Sequence, residues 1–165
     1  MPVQFKFCPV CADPLGEKVD PDGQVRKACS SCNFVHYENP TPVVAAIVQR
    51  GDDVVLVRSI GWPETWFGLV TGFLEREEHP EVAVVREVKE ELGVDDVQLG
   101  DLIGLYSFER MNQLIIAYHV VIQEDVEITL DANELEAYKL VPVSRLKPWP
   151  FGTGEAVKHW LASRD

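Results

Sequence analysis

Between Gly72 and Val94 the chain reads GFLEREEHPEVAVVREVKEELGV, and within it Glu87, Glu90 and Glu91 stand at i, i+3 and i+4. On an α-helix that spacing puts three carboxylates on one face. Like charges so placed repel by about 0.2–0.5 kcal/mol per pair on an isolated helix, so a sequence that keeps them together calls for a cation to hold. Oxygen-only ligands favour Mg2+ or Mn2+, ions that retain waters and accept phosphate oxygens, so the cluster suits a diphosphate beside an activated water. Ala83, Val84, Val88 and Leu92 recur at helical spacing and supply the buried stripe, while Pro80 can open the helix and Gly93 can end it. Three glutamates alone would fit a solvated acidic face. That reading leaves Gly72, Glu78 and Arg86, set in register with them, without a purpose. Arg86 cannot lose its proton, and its fork suits the orientation of a neighbouring carboxylate.

All four cysteines fall in the first 32 residues, as Cys8-Pro-Val-Cys11 and Cys29-Ser-Ser-Cys32 with seventeen residues between the pairs. This is the spacing of a structural Zn2+ site, in which two thiolate pairs close a tetrahedron and leave no open position for chemistry. Asp20-Pro-Asp-Gly23 between them reads as a tight turn joining two short strands, the layout of a zinc ribbon. The competing reading, two disulfides, disagrees with an intracellular chain. The segment holds few large apolar side chains, so metal would replace a core there. His36 follows Cys32 by four residues, but four thiolates already complete the site, which leaves His36 a linker residue.

The chain has 165 residues, enough for one domain with a sizeable core plus a small appendage. With 27 acidic against 15 basic residues its formal charge is −12, which argues against electrostatic binding of extended nucleic acid. No apolar stretch approaches a membrane span and the N-terminus lacks the long apolar core of a signal peptide, so the expected setting is cytoplasmic. Glu38-Asn-Pro-Thr-Pro42 marks a boundary, giving a zinc ribbon over 1–38 and a larger domain over 39–165. Strands are expected at Val43 to Gln49, Val54 to Arg58, Leu102 to Ser107 and Leu114 to Gln123. Glu134 to Leu140 leads into another, and a helix is expected from Thr153 to Ser163 with Ala156, Val157, Trp160 and Leu161 on one side. Periodicity alone describes a mixed α/β chain.

The Gly72 to Val94 run resembles the Nudix box of Nudix hydrolases. Its pattern is glycine, five residues, glutamate, seven residues, then arginine, glutamate, an aliphatic, any residue, two glutamates, any residue, glycine and an aliphatic; every defining position is filled. The resemblance implies an α/β/α sandwich and a metal-dependent pyrophosphohydrolase acting on a nucleotide substrate. Glu87, Glu90 and Glu91 would hold the metal, and the general base stays open among Glu78, Glu90 and an unassigned loop residue. A four-cysteine ribbon ahead of such a domain is similar to the NADH pyrophosphatase family, over Phe7 to Leu161. In that family a downstream glutamate also holds metal, and Asp131-Ala-Asn-Glu-Leu-Glu-Ala137 places Glu134 there.

That family's Ser-Gln-Pro-Trp-Pro-Phe signature for NADH is missing from the matching region, Tyr106 to Leu114. Pro148-Trp-Pro-Phe151 lies beyond Glu134 and reads as a turn with core aromatics. The departure favours ADP-ribose or another nucleoside diphosphate derivative over NADH. Trp66, Phe67, Tyr106 and Phe108 are candidates to stack on a base, although each also suits a core. Arg110 and Arg58 suit phosphate oxygens, or simply the surface. Two other functions remain open, a non-hydrolytic nucleotide-sensing module and decapping of nucleotide-capped RNA, and the resemblance also suggests a homodimer.

Overall fold

The computed structural model describes residues 5–164, which divide into two compact units, residues up to 40 with 110–112 and residues 41–109 with those from 113 on. In the first, β1 (Gly16–Val19), β2 (Val25–Ala28) and β3 (Val35–His36) form an antiparallel sheet. The turn between β1 and β2 is built on Asp20, whose Oδ1 accepts from the N–H groups of Asp22 and Gln24 while Oδ2 pairs with Arg26 at 3.2 Å. A short aspartate that bonds its own backbone two residues on is a general turn device. Arg110–Asn112 join this unit, with Asn112 Nδ2 donating to the carbonyl of Glu38 at 3.1 Å.

The second unit runs β4 (Thr41–Arg50), β5 (Asp53–Ser59), β6 (Val70–Phe73), α1 (Pro80–Leu92), β7 (Val97–Phe108), β8 (Gln113–Ile122), β9 (Leu135–Pro142) and α2 (Gly154–Ala162). Its sheet has the order β7-β8-β4-β5-β9, with β6 also on β4. β4 pairs in parallel with β8 along its whole length. Its other edge is shared, Val48–Arg50 with β5 and Val43–Ala46 with β6.

Alternation along β4 explains why the sheet needs cover on both faces. Val44, Ala46 and Val48 point into a core completed by Ala83, Val84, Val88 and Leu92 of α1. Ala45 and Ile47 point into a second core with Ala156, Val157 and Trp160 of α2. The result is the expected α/β/α sandwich. Each fully buried valine, leucine or isoleucine contributes about 1.5–3 kcal/mol by leaving water, so the two layers fix where α1 and α2 lie.

β6 carries no strand signal in the sequence, because four residues hold too little period to read. β7 starts at Val97, earlier than expected, since its register on β8 shifts between Leu99 and Leu102 and again between Leu102 and Gly104, which breaks the alternation. The Pro148 to Phe151 turn holds one core aromatic rather than two: Trp149 packs against the second core, whereas Phe151 is 54% exposed. Among the described residues no helix is long and apolar enough to cross a membrane.

Candidate active site

The position of α1 follows from its ends and its stripe. Pro80 occupies its first turn, and Gly93 ends it in the left-handed region at φ 63° with its N–H donating to Lys89 O. Two further carbonyls at that end are satisfied by the segment before β9: Thr129 N–H donates to Leu92 O at 2.9 Å and Asp131 N–H to Glu91 O at 3.1 Å. These bonds carry Glu134 toward the acidic face of α1. Its own N–H is tied to Asp131 O, and its carbonyl accepts from Ile60 N–H.

Arg86 gathers the other glutamates. Its Nε and Nη2 donate to the two carboxylate oxygens of Glu78 at 2.8 and 2.9 Å, and Nη1 donates to Glu87 at 2.7 Å and Glu90 at 2.9 Å. Nη2 also reaches the Phe73 carbonyl. The fork therefore spans the loop, the end of β6 and the face of α1. Its hydrogen bonds hold the Glu78 carboxyl below the usual range, with the Glu75 N–H assisting.

Glu91 is the buried member, 5% exposed, and its Oε2 has no hydrogen-bond partner among the described residues. Burial, then the charges of Glu87, Glu134 and Asp131, push its carboxyl up to about 8, with the backbone of Thr71 opposing. Glu87 is also raised, by burial first and against the pull of Arg86, with Glu90 and Glu134 adding repulsion. A buried carboxylate oxygen with no donor, in the field of two further carboxylates, suits a hard divalent cation. Gly72 on β6 admits this packing, since a Cβ there would overlap the Glu87 carboxylate.

The fold thus brings together Glu78, Arg86, Glu87, Glu90, Glu91 and Glu134. It does not bring the candidate aromatics to them. Phe67, Tyr106 and Phe108 pack against the second core, on the α2 side of the sheet, and the Tyr106 hydroxyl pairs with His159 Nδ1 at 2.9 Å. Trp66 is exposed beside Phe151, with ring centres 6.4 Å apart. Arg110 is exposed, in the short segment that belongs with the first unit. Lys139 stands in no sequence motif. Its Nζ stands 4.2 Å from the centre of the Phe67 ring, a placement set by the β5–β9 register.

In the first unit the sulfurs of Cys8, Cys11, Cys29 and Cys32 converge, all within 4.8 Å of one another. The Cys8–Cys32, Cys11–Cys29 and Cys11–Cys32 contacts are 3.4 to 3.5 Å, well beyond a covalent S–S bond of about 2.0 Å. Four sulfurs sharing contacts rather than forming two bonds fit a tetrahedral zinc site. Among the described residues this is the set of three or more ligand atoms that lie so close; the α1 carboxylates stand wider, with Arg86 among them.

Residues 39–160 match the NUDIX domain model, and residues 6–38 match the zinc-ribbon model described as Nudix N-terminal. Similar sequences include two named NAD-capped RNA hydrolase NudC. The one from Stutzerimonas stutzeri is 27% identical over 147 residues, covering 89% of this chain and 51% of that protein. The one from Pseudomonas aeruginosa is 29% identical over 145 residues, covering 88% and 50%. The chain spans about half the length of these curated relatives. A Nudix hydrolase structure from Nitrosomonas europaea superposes with a TM-score of 0.80 at 23% identity, over 97% of this chain and 92% of that one. A MutT protein structure from Methanosarcina mazei gives 0.63 at 21% identity, over 79% and 99%. The sandwich, the glutamate-bearing helix and the family match over most of the chain agree: this chain belongs to the Nudix family.

Proposed function

We propose that the chain hydrolyses the diphosphate linkage of a nucleoside diphosphate derivative, using a divalent cation held by Glu87, Glu90 and Glu91 with Glu134 as a further ligand. The observation that carries this reading is the buried, unpartnered Oε2 of Glu91 beside the charges of Glu87 and Glu134. Such a group is costly to keep ionised in the fold unless a cation completes it. A bound Mg2+ or Mn2+ would neutralise the diphosphate and lower the pKa of a nearby water.

The chain's own groups do the rest. Arg86 orients Glu78, Glu87 and Glu90 through its fork, so that the ligand oxygens do not turn away from the site. Water oxygen attacks one phosphorus, the bridging P–O bond breaks, and the water proton passes to a carboxylate, Glu78 or Glu90 or a loop residue. Two phosphate-bearing products leave. In the ribbon Zn2+ has a structural part, and a cytoplasmic setting keeps its thiols reduced.

The relatives' name, NAD-capped RNA hydrolase, supports a substrate with a dinucleotide diphosphate at its reacting end. The decisive assay is phosphate-product release with Mg2+ or Mn2+ across NADH, NAD, ADP-ribose, dinucleoside polyphosphates, nucleotide sugars and NAD-capped RNA. Metal-dependent turnover of at least one is expected. Absence of turnover on all of them would favour a nucleotide-sensing module instead.

A further inference from the structure

Two cations stand close to the ring of Phe67. Lys139 Nζ stands 4.2 Å from the centre of that ring, and Arg58 Cζ stands 5.9 Å from the same point. Arg58 comes from β5, Lys139 from β9, and Phe67 from the loop ahead of β6. The β5–β9 register sets Leu56 opposite Lys139 and Arg58 opposite Ala137, so both cations leave the sheet on the face of Leu56, a second-core residue. That pair of strands also meets the acidic site, since Glu134 directly precedes β9 and its carbonyl accepts from Ile60 N–H at 2.8 Å.

The protein groups leave this pair of charges incompletely answered. Glu136 Oε2 lies 3.3 Å from Arg58 Nη2, and its other oxygen accepts from Gly61 N–H. Arg58 Nε is buried and has no acceptor, and Lys139 is exposed without an ion pair, both among the described residues. Two like charges on one ring repel, and the ring face offsets only part of that repulsion. In a chain of net charge −12, a guanidinium answered by one carboxylate beside an exposed, unpaired ammonium is an arrangement that an oxyanion completes. Trp66, next to Phe67 in sequence, and Phe151 are 53% and 54% exposed with ring centres 6.4 Å apart, so exposed aromatic surface adjoins Phe67 along the chain.

We propose that Arg58 and Lys139, held about Phe67, form a second anion subsite that takes a phosphate the nucleotide carries outside its scissile diphosphate. The inference rests on the nucleotide substrate argued above. Such a phosphate comes either as a monoester on the ribose or as the next phosphodiester of a short oligonucleotide; the two share the chemistry of a tetrahedral oxyanion.

The test measures binding without turnover, by tryptophan fluorescence at low salt with no Mg2+ or Mn2+, in wild type and Lys139→Gln. The probes are adenosine 5′-monophosphate, adenosine 2′,5′-bisphosphate and the dinucleotide pApA. Wild type should bind one phosphate-bearing probe about five- to tenfold tighter than the monophosphate, the scale of one charge-assisted contact. Lys139→Gln should lose that preference. A gain with the bisphosphate names the monoester as the source, and a gain confined to pApA names the phosphodiester. Equal binding of all three probes, or a preference that persists in Lys139→Gln, overturns the inference. Because nothing is hydrolysed in these measurements, failure of catalysis and failure of the subsite are read separately.

Discussion

The Glu87 carboxylate lies where a side chain at Gly72 would have to be, so it can hold this place against β6 only because position 72 has no Cβ. This glycine serves close approach rather than an unusual backbone angle. Gly72→Ala should push Glu87 off its bond to Arg86 Nη1, at a cost of about 1–3 kcal/mol for the overpacking. If Glu87 holds metal as proposed, its displacement by about 1 Å is expected to reduce turnover by roughly 100-fold. Thermal melting together with kcat on the best substrate checks both parts, and an alanine variant with wild-type kcat would contradict the packing argument.

Glu91 gives the metal-depleted protein a distinctive pH dependence. Its folded carboxyl is raised to about 8, chiefly by burial, whereas an unfolded glutamate titrates near about 4.3. The folded state therefore binds this proton more tightly, so stability from Glu91 is greatest below about pH 4 and is lost as pH rises through about 8. Each unit of difference is about 1.4 kcal/mol, which makes the loss on the order of a few kcal/mol. The lowered carboxyl of Glu78 acts with the opposite sign, but its contribution is lost only in acid. Melting of zinc-loaded protein freed of Mg2+ and Mn2+ should thus weaken from about pH 5 to pH 8, and Glu91→Gln should flatten the slope. A slope unchanged in that variant would assign the effect elsewhere.

Much of this was legible in the sequence, for identifiable reasons. The stripe of Ala83, Val84, Val88 and Leu92 and the stops at Pro80 and Gly93 are local signals on one helix, and all four stripe residues are fully buried. The two cysteine pairs encode their own convergence by spacing. What local signals do not encode is pairing across the sheet. The division of β4 between β5 and β6, the shifts in β7 and the placement of Lys139 on Phe67 all depend on register between distant strands. The exclusion of Phe67, Tyr106 and Phe108 from the glutamate face has the same origin, since which layer an aromatic joins is decided by its strand's partner.

Glu134 is exposed, yet its charge raises both Glu87 and Glu91. Its backbone is held at Asp131 and Ile60, so Glu134→Gln should fold normally. Removing one carboxylate from an oxygen-ligand set is expected to weaken Mn2+ binding by about tenfold or more. Titration of Mn2+ by electron paramagnetic resonance measures this directly, and unchanged affinity would remove Glu134 from the ligand set.

The ribbon sulfurs divide their charge unevenly. Cys29 falls to about 7, because the backbone groups of Cys32 and Ser31 and the neighbouring thiols outweigh its desolvation. Cys11 rises to about 12: the Asp13 backbone pulls it down, but the surrounding sulfurs and burial prevail. At neutral pH the metal-free set therefore keeps protons that four thiolate ligands cannot keep, and zinc loading must release them. Calorimetric titration of metal-free protein in buffers of different ionisation enthalpy should show two or more protons released per Zn2+, about the number of thiols still protonated. Cys11→Ser should lower that count and loosen zinc, and because the ribbon lacks a large apolar core, its β1–β2 hairpin should lose amide protection from exchange as well. Zinc uptake with no proton release would show that the sulfurs are not its ligands.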